Sequence, residues 1–285
     1  MNGESLRLAV VGHVEHVTLG RVSALPAAGG IAHLTDPRWF PGGGGGVALL
    51  QLARSDAEVH LFTALGGDEA GRQIEEALAR SGAHLHAARR GGAHTRDVVL
   101  VTPDGERTIV VVGEPLHPRA EDALPWALLS GCDAVYFTAQ DPEALRACRA
   151  ARRLIVTARR REALAASGVR ADVVLGSARD PREASGLADY PVPPAALVMT
   201  EGAAGGYMET EAGITRFAAP ASPPVTGAAY GAGDSFAAAL TYYLGAGLTV
   251  LAACARAGPH GAAVLAGLDP RETQLPLGPA AGFRP

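Results

Sequence analysis

Apolar and polar positions along this chain follow two rhythms. Short apolar runs, each bounded by glycine, proline or charge, read as buried strands. They are Leu6–Val11, Val59–Ala64, Ala134–Phe137, Leu154–Thr157, Asp172–Leu175 and Leu197–Thr200. Between them, the spacing of an amphipathic helix predicts helices at Val47–Arg54, Asp68–Arg80, Pro142–Ala151 and Glu162–Ser167. Two more follow at Asp234–Leu244 and Thr249–Leu265, the latter interrupted at Gly258-Pro259. Asp68 suits the N-cap of its helix, and Ser81-Gly82 suits the stop.

Two stretches break this alternation. Residues 13–41 are rich in proline and glycine but hold extended pieces at His16–Val22 and Ile31–Leu34. Val98–Thr102 and Arg107–Val112 flank Pro103-Asp104-Gly105, a strong hairpin signal, and Gly206–Thr210 with Gly213–Phe217 makes a second. Strand–helix alternation implies an α/β fold with a mostly parallel sheet, helices on both faces and ligands beyond the carboxyl ends of the strands. The segments near 13–40 and 94–112 would form a small separate β-layer. With no repeat and no long linker, residues 1–285 read as one domain with a β-lid.

Composition narrows the chemistry. The chain contains no lysine, so all 25 basic residues are arginine. That excludes a P-loop lysine, a Schiff base and a Ser-Lys pair. A net charge of −4 without a basic stripe argues against nucleic acid. Cys132, Cys148 and Cys254 are widely spaced and read as buried free thiols. Leu6–Val11 is too short to span a membrane and no signal-peptide pattern precedes it, so a cytoplasmic protein without a membrane partner is expected.

The most informative stretch is Tyr230-Gly231-Ala232-Gly233-Asp234-Ser235-Phe236. Small residues ahead of a helix expose backbone N–H groups at its positive end, which makes an anion cradle. Asp234 could cap that helix, or accept a proton from an attacking hydroxyl while the amides stabilise a transferred phosphoryl group.

Gly231 to Ala237 resembles the C-terminal signature of the PfkB-type, or ribokinase-like, carbohydrate kinases. The run Gly42-Gly43-Gly44-Gly45-Gly46-Val47 is similar to the family's glycine motif opening its first helix. Phe62 to Gly71 resembles its strand and Gly-Asp turn, and Thr200-Glu201-Gly202-Ala203-Ala204-Gly205 its nucleotide-side turn. These matches stand in family order over roughly residues 6–267.

The resemblance implies a three-layer α/β/α sandwich with a β-sheet lid, ATP and Mg²⁺ as cofactors, and phosphorylation of a sugar or nucleoside hydroxyl. It assigns Asp234 as base and Gly231, Ala232 and Gly233 as the anion hole. Gly43, Gly44, Gly45 and Gly46 would approach the acceptor, and Ser177, Thr200, Gly202 and Gly205 the nucleotide. A projecting β-lid with one apolar face also suggests a homodimer through the lid.

Several positions depart from the family pattern. Ala228 and Ala229 stand where Asp and Thr are usual, which puts monovalent-cation activation in doubt. Val47 replaces an Asn, and Val17 the sugar-binding Asp, so Glu15 is the candidate substitute carboxylate. His13 and His16 read as ordinary loop or lid packing. Gly176-Ser177-Ala178-Arg179-Asp180 stands for the family's Asn-x-x-Glu element, which leaves Asp180 as candidate metal organiser or as a helix cap. Arg96 and Arg107 could reach an acidic group on the substrate from the lid. Alternatives from other classes are a kinase-like binding or regulatory protein and, poorly fitting, a Rossmann-type dinucleotide enzyme.

Overall fold

In the computed structural model of the chain, residues 5–221 and 227–278 are described. The strands are β1 (Arg7–Val11), β2 (Glu15–Arg21), β3 (Thr35–Gly42), β4 (Glu58–Gly66), β5 (His84–Arg90), β6 (Arg96–Val101), β7 (Arg107–Val112), β8 (Ala134–Phe137), β9 (Leu154–Thr157), β10 (Val173–Ser177), β11 (Ala196–Thr200), β12 (Gly206–Thr210) and β13 (Gly213–Phe217). The helices are α1 (Gly43–Leu52), α2 (Glu69–Ala79), α3 (Pro142–Cys148), α4 (Arg161–Ser167), α5 (Ala232–Gly245), α6 (Val250–Ala263) and α7 (Pro270–Thr273).

Nine strands form one sheet in the order β13-β12-β11-β10-β9-β8-β1-β4-β5. From β11 to β5 all pairs are parallel, and the β12–β13 hairpin adds an antiparallel edge. Alternate residues of each strand feed opposite faces. Leu8, Val10, Leu61 and Ile155 pack with Leu49, Ile74, Leu240 and Cys254 from α1, α2, α5 and α6. Ala9, Val11, Val135 and Val156 pack on the other face with Leu145, Cys148 and Leu164 from α3 and α4. The result is a three-layer sandwich. All three cysteines are free and buried.

A second sheet, β3-β2-β6-β7, stands apart from the first. Val17, Leu19, Phe40, Val99 and Val101 bury its inner face against Val47, Ala228 and Tyr230. This is the expected lid, with one boundary moved. The second extended piece is Thr35–Gly42 rather than Ile31–Leu34 and includes Pro37 and Pro41. Proline is tolerated there because β3 is an edge strand.

Two helices also differ from expectation. Helix α1 starts at Gly43, so four glycines lie inside it. Their poor propensity is overridden by close packing, since a Cβ on Gly45 would sit 2.6 Å from the His13 carbonyl oxygen. Helix α6 runs through Pro259, sustained by burial of Ala253, Cys254, Ala257 and His260. Strand β5 has no counterpart in the apolar pattern.

The sheet order reverses at β1. From there the chain steps to β4 on one side and to β8 on the other. A crevice opens where neighbouring connections diverge in this way. At that point Gly12 and Thr138 close in, and a Cβ on Gly12 would meet Thr138 Cγ2 at 2.4 Å.

Candidate active site

The carboxyl ends of the parallel strands deliver His13 after β1, Thr138 after β8, Arg159 and Arg160 after β9, Ser177 from β10 and Thr200 from β11. Helices α1 and α5 point their N-termini at the same crevice. The N-cap of α5 is Gly231, left-handed at φ +79°, and no side chain caps the helix. Gly42 likewise leaves α1 without a side-chain cap. Helix-start N–H groups therefore face the crevice without partners from their own helices.

Asp234 lies in the first turn of α5. A Cβ on Gly44 would sit 2.7 Å from Thr138 Oγ1 and 3.2 Å from Asp234 Oδ1, so glycine there opens the approach to both. A helix N-terminus ordinarily lowers a carboxyl pKa. Here desolvation and the Glu183 carboxylate prevail, and the Asp234 pKa rises to about 6 against the opposing pull of Arg159, Arg107 and the Tyr136 hydroxyl. A carboxylate poised near neutrality is suited to take a proton.

The expected acceptor-side residues divide. Gly43, at φ +72°, faces His13 and Glu15, and its N–H donates to Tyr230 Oη at 3.0 Å. Gly45 and Gly46 instead pack on His13, Val14 and Pro41. Glu15 is buried, with His13 Nε2 at 3.4 Å from Oε1. Burial and the neighbouring Asp97 push Glu15 well above the usual carboxylate range, and burial raises Asp97 too. Asp97 Oδ1 is buried without a partner among the described residues, and the mutual repulsion of the two carboxyls favours the protonated form of Glu15. Arg96, one residue earlier on β6, turns away and pairs with Asp68 at 2.7 Å, beside the α2 cap.

On the nucleotide side, Ser177 and Thr200 stand opposite each other on β10 and β11. Ser177 Oγ accepts from the Arg179 N–H, and the Arg179 side chain lies over Gly202. Gly205, at φ +88°, leaves no room for a Cβ, which would fall 2.2 Å from the Phe217 carbonyl oxygen. Asp180 binds Arg159 and Arg182 through its carboxylate, which holds its pKa well below the usual range. Asp180 is thus ionised and already neutralised by two guanidiniums. Glu183, which accepts from Arg159 and from the Ser177 N–H, is the carboxylate whose field reaches Asp234. Ala228 is fully buried in the lid cluster and brings no carboxylate.

Four residues that the sequence reading does not single out complete the crevice: Asp97, His117, Thr138 and Arg160. His13 also belongs here rather than to general packing, its ring 5.0 Å from that of His117. Both ring nitrogens of His117 and Nδ1 of His13 are buried without partners among the described residues. Desolvation and Arg160 keep both imidazoles neutral, lowering His13 to about 3.

A profile of the pfkB family carbohydrate kinases matches residues 5–159, more than half of the chain. The chain belongs to the pfkB carbohydrate kinase family. No curated protein matches it. Among solved structures, a putative ribokinase from Agrobacterium tumefaciens is similar at 21% identity and TM-score 0.80, covering 95% of this chain and 94% of the other. The Arabidopsis thaliana ribokinase complexed with ribose and ATP is 16% identical, with TM-score 0.74 and coverage of 95% and 96%. A Methanocaldococcus jannaschii nucleoside kinase is 14% identical, with TM-score 0.70 and coverage of 95% and 96%. The pfkB chain thus has the ribokinase-like α/β fold, a large mixed sheet between helices with a separate small sheet.

Proposed function

We propose that this pfkB-family protein transfers the γ-phosphoryl group of ATP to a hydroxyl of a small sugar-like acceptor, with Asp234 as general base. The observation that carries the reading is Asp234 itself, raised to about 6 at the uncapped start of α5 and beside Gly44. The acceptor oxygen forms a bond to the γ-phosphorus as its proton passes to the Asp234 carboxylate. The bond from that phosphorus to the bridging oxygen breaks, and ADP leaves. Backbone N–H groups of Ala232 and Gly233 face the charge that develops on the phosphoryl oxygens.

Mg²⁺ would be organised here chiefly through phosphate oxygens and water rather than by a dedicated cage of side chains. Both carboxylates nearest the phosphate side, Asp180 and Glu183, are engaged by Arg159, Arg182 and the Ser177 N–H. Among the described residues no group of three or more His, Cys, Asp or Glu side chains is arranged to hold a metal. A Mg²⁺ brought with ATP would rest on phosphate oxygens and water, neutralising charge there.

Outside the site, β7 leaves Ile109, Val110, Val111 and Val112 exposed along the lid edge, the surface by which a second copy would pair. No described helix is long and apolar enough to cross a membrane. Free thiols and ATP dependence suit the cytoplasm.

The reading is tested by ATP consumption over a panel of sugars, sugar acids and nucleosides, repeated with Asp234→Asn. Turnover that falls by about 10²–10⁴-fold in the variant, without loss of melting temperature, supports the base. Near-wild-type turnover in the variant removes Asp234 from the mechanism.

A further inference from the structure

Arg159 and Arg160 are consecutive but meet different surroundings. Arg159 is neutralised by Asp180 and Glu183, at 2.7 and 2.6 Å, on the side of Ser177. Arg160 donates from Nε to the Thr138 carbonyl oxygen at 2.9 Å, and its two terminal nitrogens have no partner among the described residues. It is half-buried and joins no ion pair. Arg90 and Arg271, buried to a similar degree, are both held by carboxylates, Asp122 and Asp269. A half-buried guanidinium whose terminal nitrogens stay accessible and carry no counter-charge is placed to take an anionic ligand.

Thr138 fixes where that charge stands. Its carbonyl holds Arg160, while its side chain borders Gly44 together with Asp234. The field of Arg160 also reaches His13, Glu15 and His117, the acceptor side of the crevice. On the same side the nitrogens of the buried His117 and the buried Nδ1 of His13 have no partner among the described residues, so a ligand's hydroxyls could satisfy them. Neutral imidazoles donate to or accept from hydroxyls. The Glu15–Asp97 pair, its carboxyls raised by burial, adds acidic groups to the same wall.

We infer that the acceptor is a polyhydroxy carboxylate, a sugar acid whose carboxylate pairs with Arg160 while its hydroxyls meet His13, His117 and the Glu15–Asp97 pair. A planar monoanion matches the guanidinium fork. A phosphate ester would bring nearly two charges to one unpaired arginine, opposite an acid pair and Asp234. The inference rests on the kinase reading for its turnover arm but not for its binding arm.

The experiment pairs aldonates, such as gluconate, with their matching alditols, and adds sugar monophosphates. Each is measured by thermal shift without ATP and by ATP consumption. The expected result is that aldonates raise the melting temperature and exceed the alditols in kcat/KM by about 30-fold or more. In Arg160→Gln that ratio collapses towards one, mainly through KM, and Arg160→Lys keeps an intermediate ratio. Retained melting temperature of the unliganded variants shows that folding is not the cause. Aldonate binding that depends on Arg160 but is not followed by turnover upholds the inference and overturns the kinase reading. Turnover of neutral sugars or sugar phosphates in preference to aldonates overturns the inference and leaves the kinase reading standing. It also falls if no aldonate binds, or if Arg160→Gln lowers kcat alike for every acceptor.

Discussion

Helices α2, α3, α6 and α7 begin on Asp68, Asp141, Thr249 and Asp269, each accepting a backbone N–H of its own first turn. Helices α1 and α5 begin on Gly42 and Gly231 with no such bond. The glycines are enforced. A Cβ at Gly42 would fall 2.2 Å from Val17 Cγ2 and 2.5 Å from Tyr230 Oη, and Gly231 is left-handed with Val47 3.0 Å away. A side chain able to cap either helix has nowhere to go. At α1 the Gly43 and Gly45 N–H groups find partners outside the helix, Tyr230 Oη and the His13 carbonyl, whereas the α5 start at Gly231 has no side-chain cap and is the one placed to meet a ligand's charge.

The comparison can be broken at several points. After Asp234→Asn, the largest loss is expected from Gly44→Ala, which places a methyl against Thr138 and Asp234. Steady-state kinetics should show kcat/KM down by about 10–100-fold through misplacement of the acceptor. Denaturant unfolding should show about 1–3 kcal/mol of overpacking. A loss of stability without a loss of activity would detach Gly44 from the acceptor pocket.

The next effect comes from pH. The Asp234 carboxyl is raised to about 6, so it is protonated, and useless as a base, below that value. The rate should therefore rise about tenfold per pH unit on the acid side and level off above pH 6. A pH–rate profile flat down to the ordinary carboxylate range would show that burial and Glu183 do not tune this group.

The smallest effect sharpens the other half of the comparison. Asp141 Oδ2 caps α3 through the Ala144 N–H and also accepts from the Ala120 N–H. Asp141→Ala should cost about 1–2 kcal/mol in thermal unfolding. Its kcat/KM should stay at the wild-type value, because this capped helix start serves only the fold.

Much of the architecture was legible because it rests on local pattern. The parallel strands, the two hairpins and the Asp68 cap follow from short apolar runs and turn residues, and the structure matches them closely. Strand β5 was not legible. His84-Leu85-His86-Ala87-Ala88-Arg89-Arg90 lacks β-branched residues and becomes a strand by pairing with β4. Within the site, the glycine turns and Asp234 lie in continuous segments, whereas Arg160, Thr138 and His117 come together only through the sheet order.

One residue did carry a signal. Along β6, Asp97, Val99 and Val101 occupy the buried phase, and Arg96, Val98 and Leu100 the other. An aspartate on the apolar phase of an alternating strand marks a polar group aimed inward, and a reading centred on Arg96 misses it by one position. Near Ser177, the three-residue spacing leads to Asp180, whereas the carboxylate that accepts the Ser177 N–H is Glu183, six residues on.

A proton held on the raised carboxyls of Glu15 and Asp97 would tie recognition to the surrounding buffer. A ligand that bonds to either carboxyl changes the affinity of the pair for that proton, so association is accompanied by uptake or release of a fraction of a proton. The heat of binding will then scale with the ionisation enthalpy of the buffer. Titrations in phosphate and in Tris would differ although the affinity is the same, and the slope between them counts the protons exchanged at this wall.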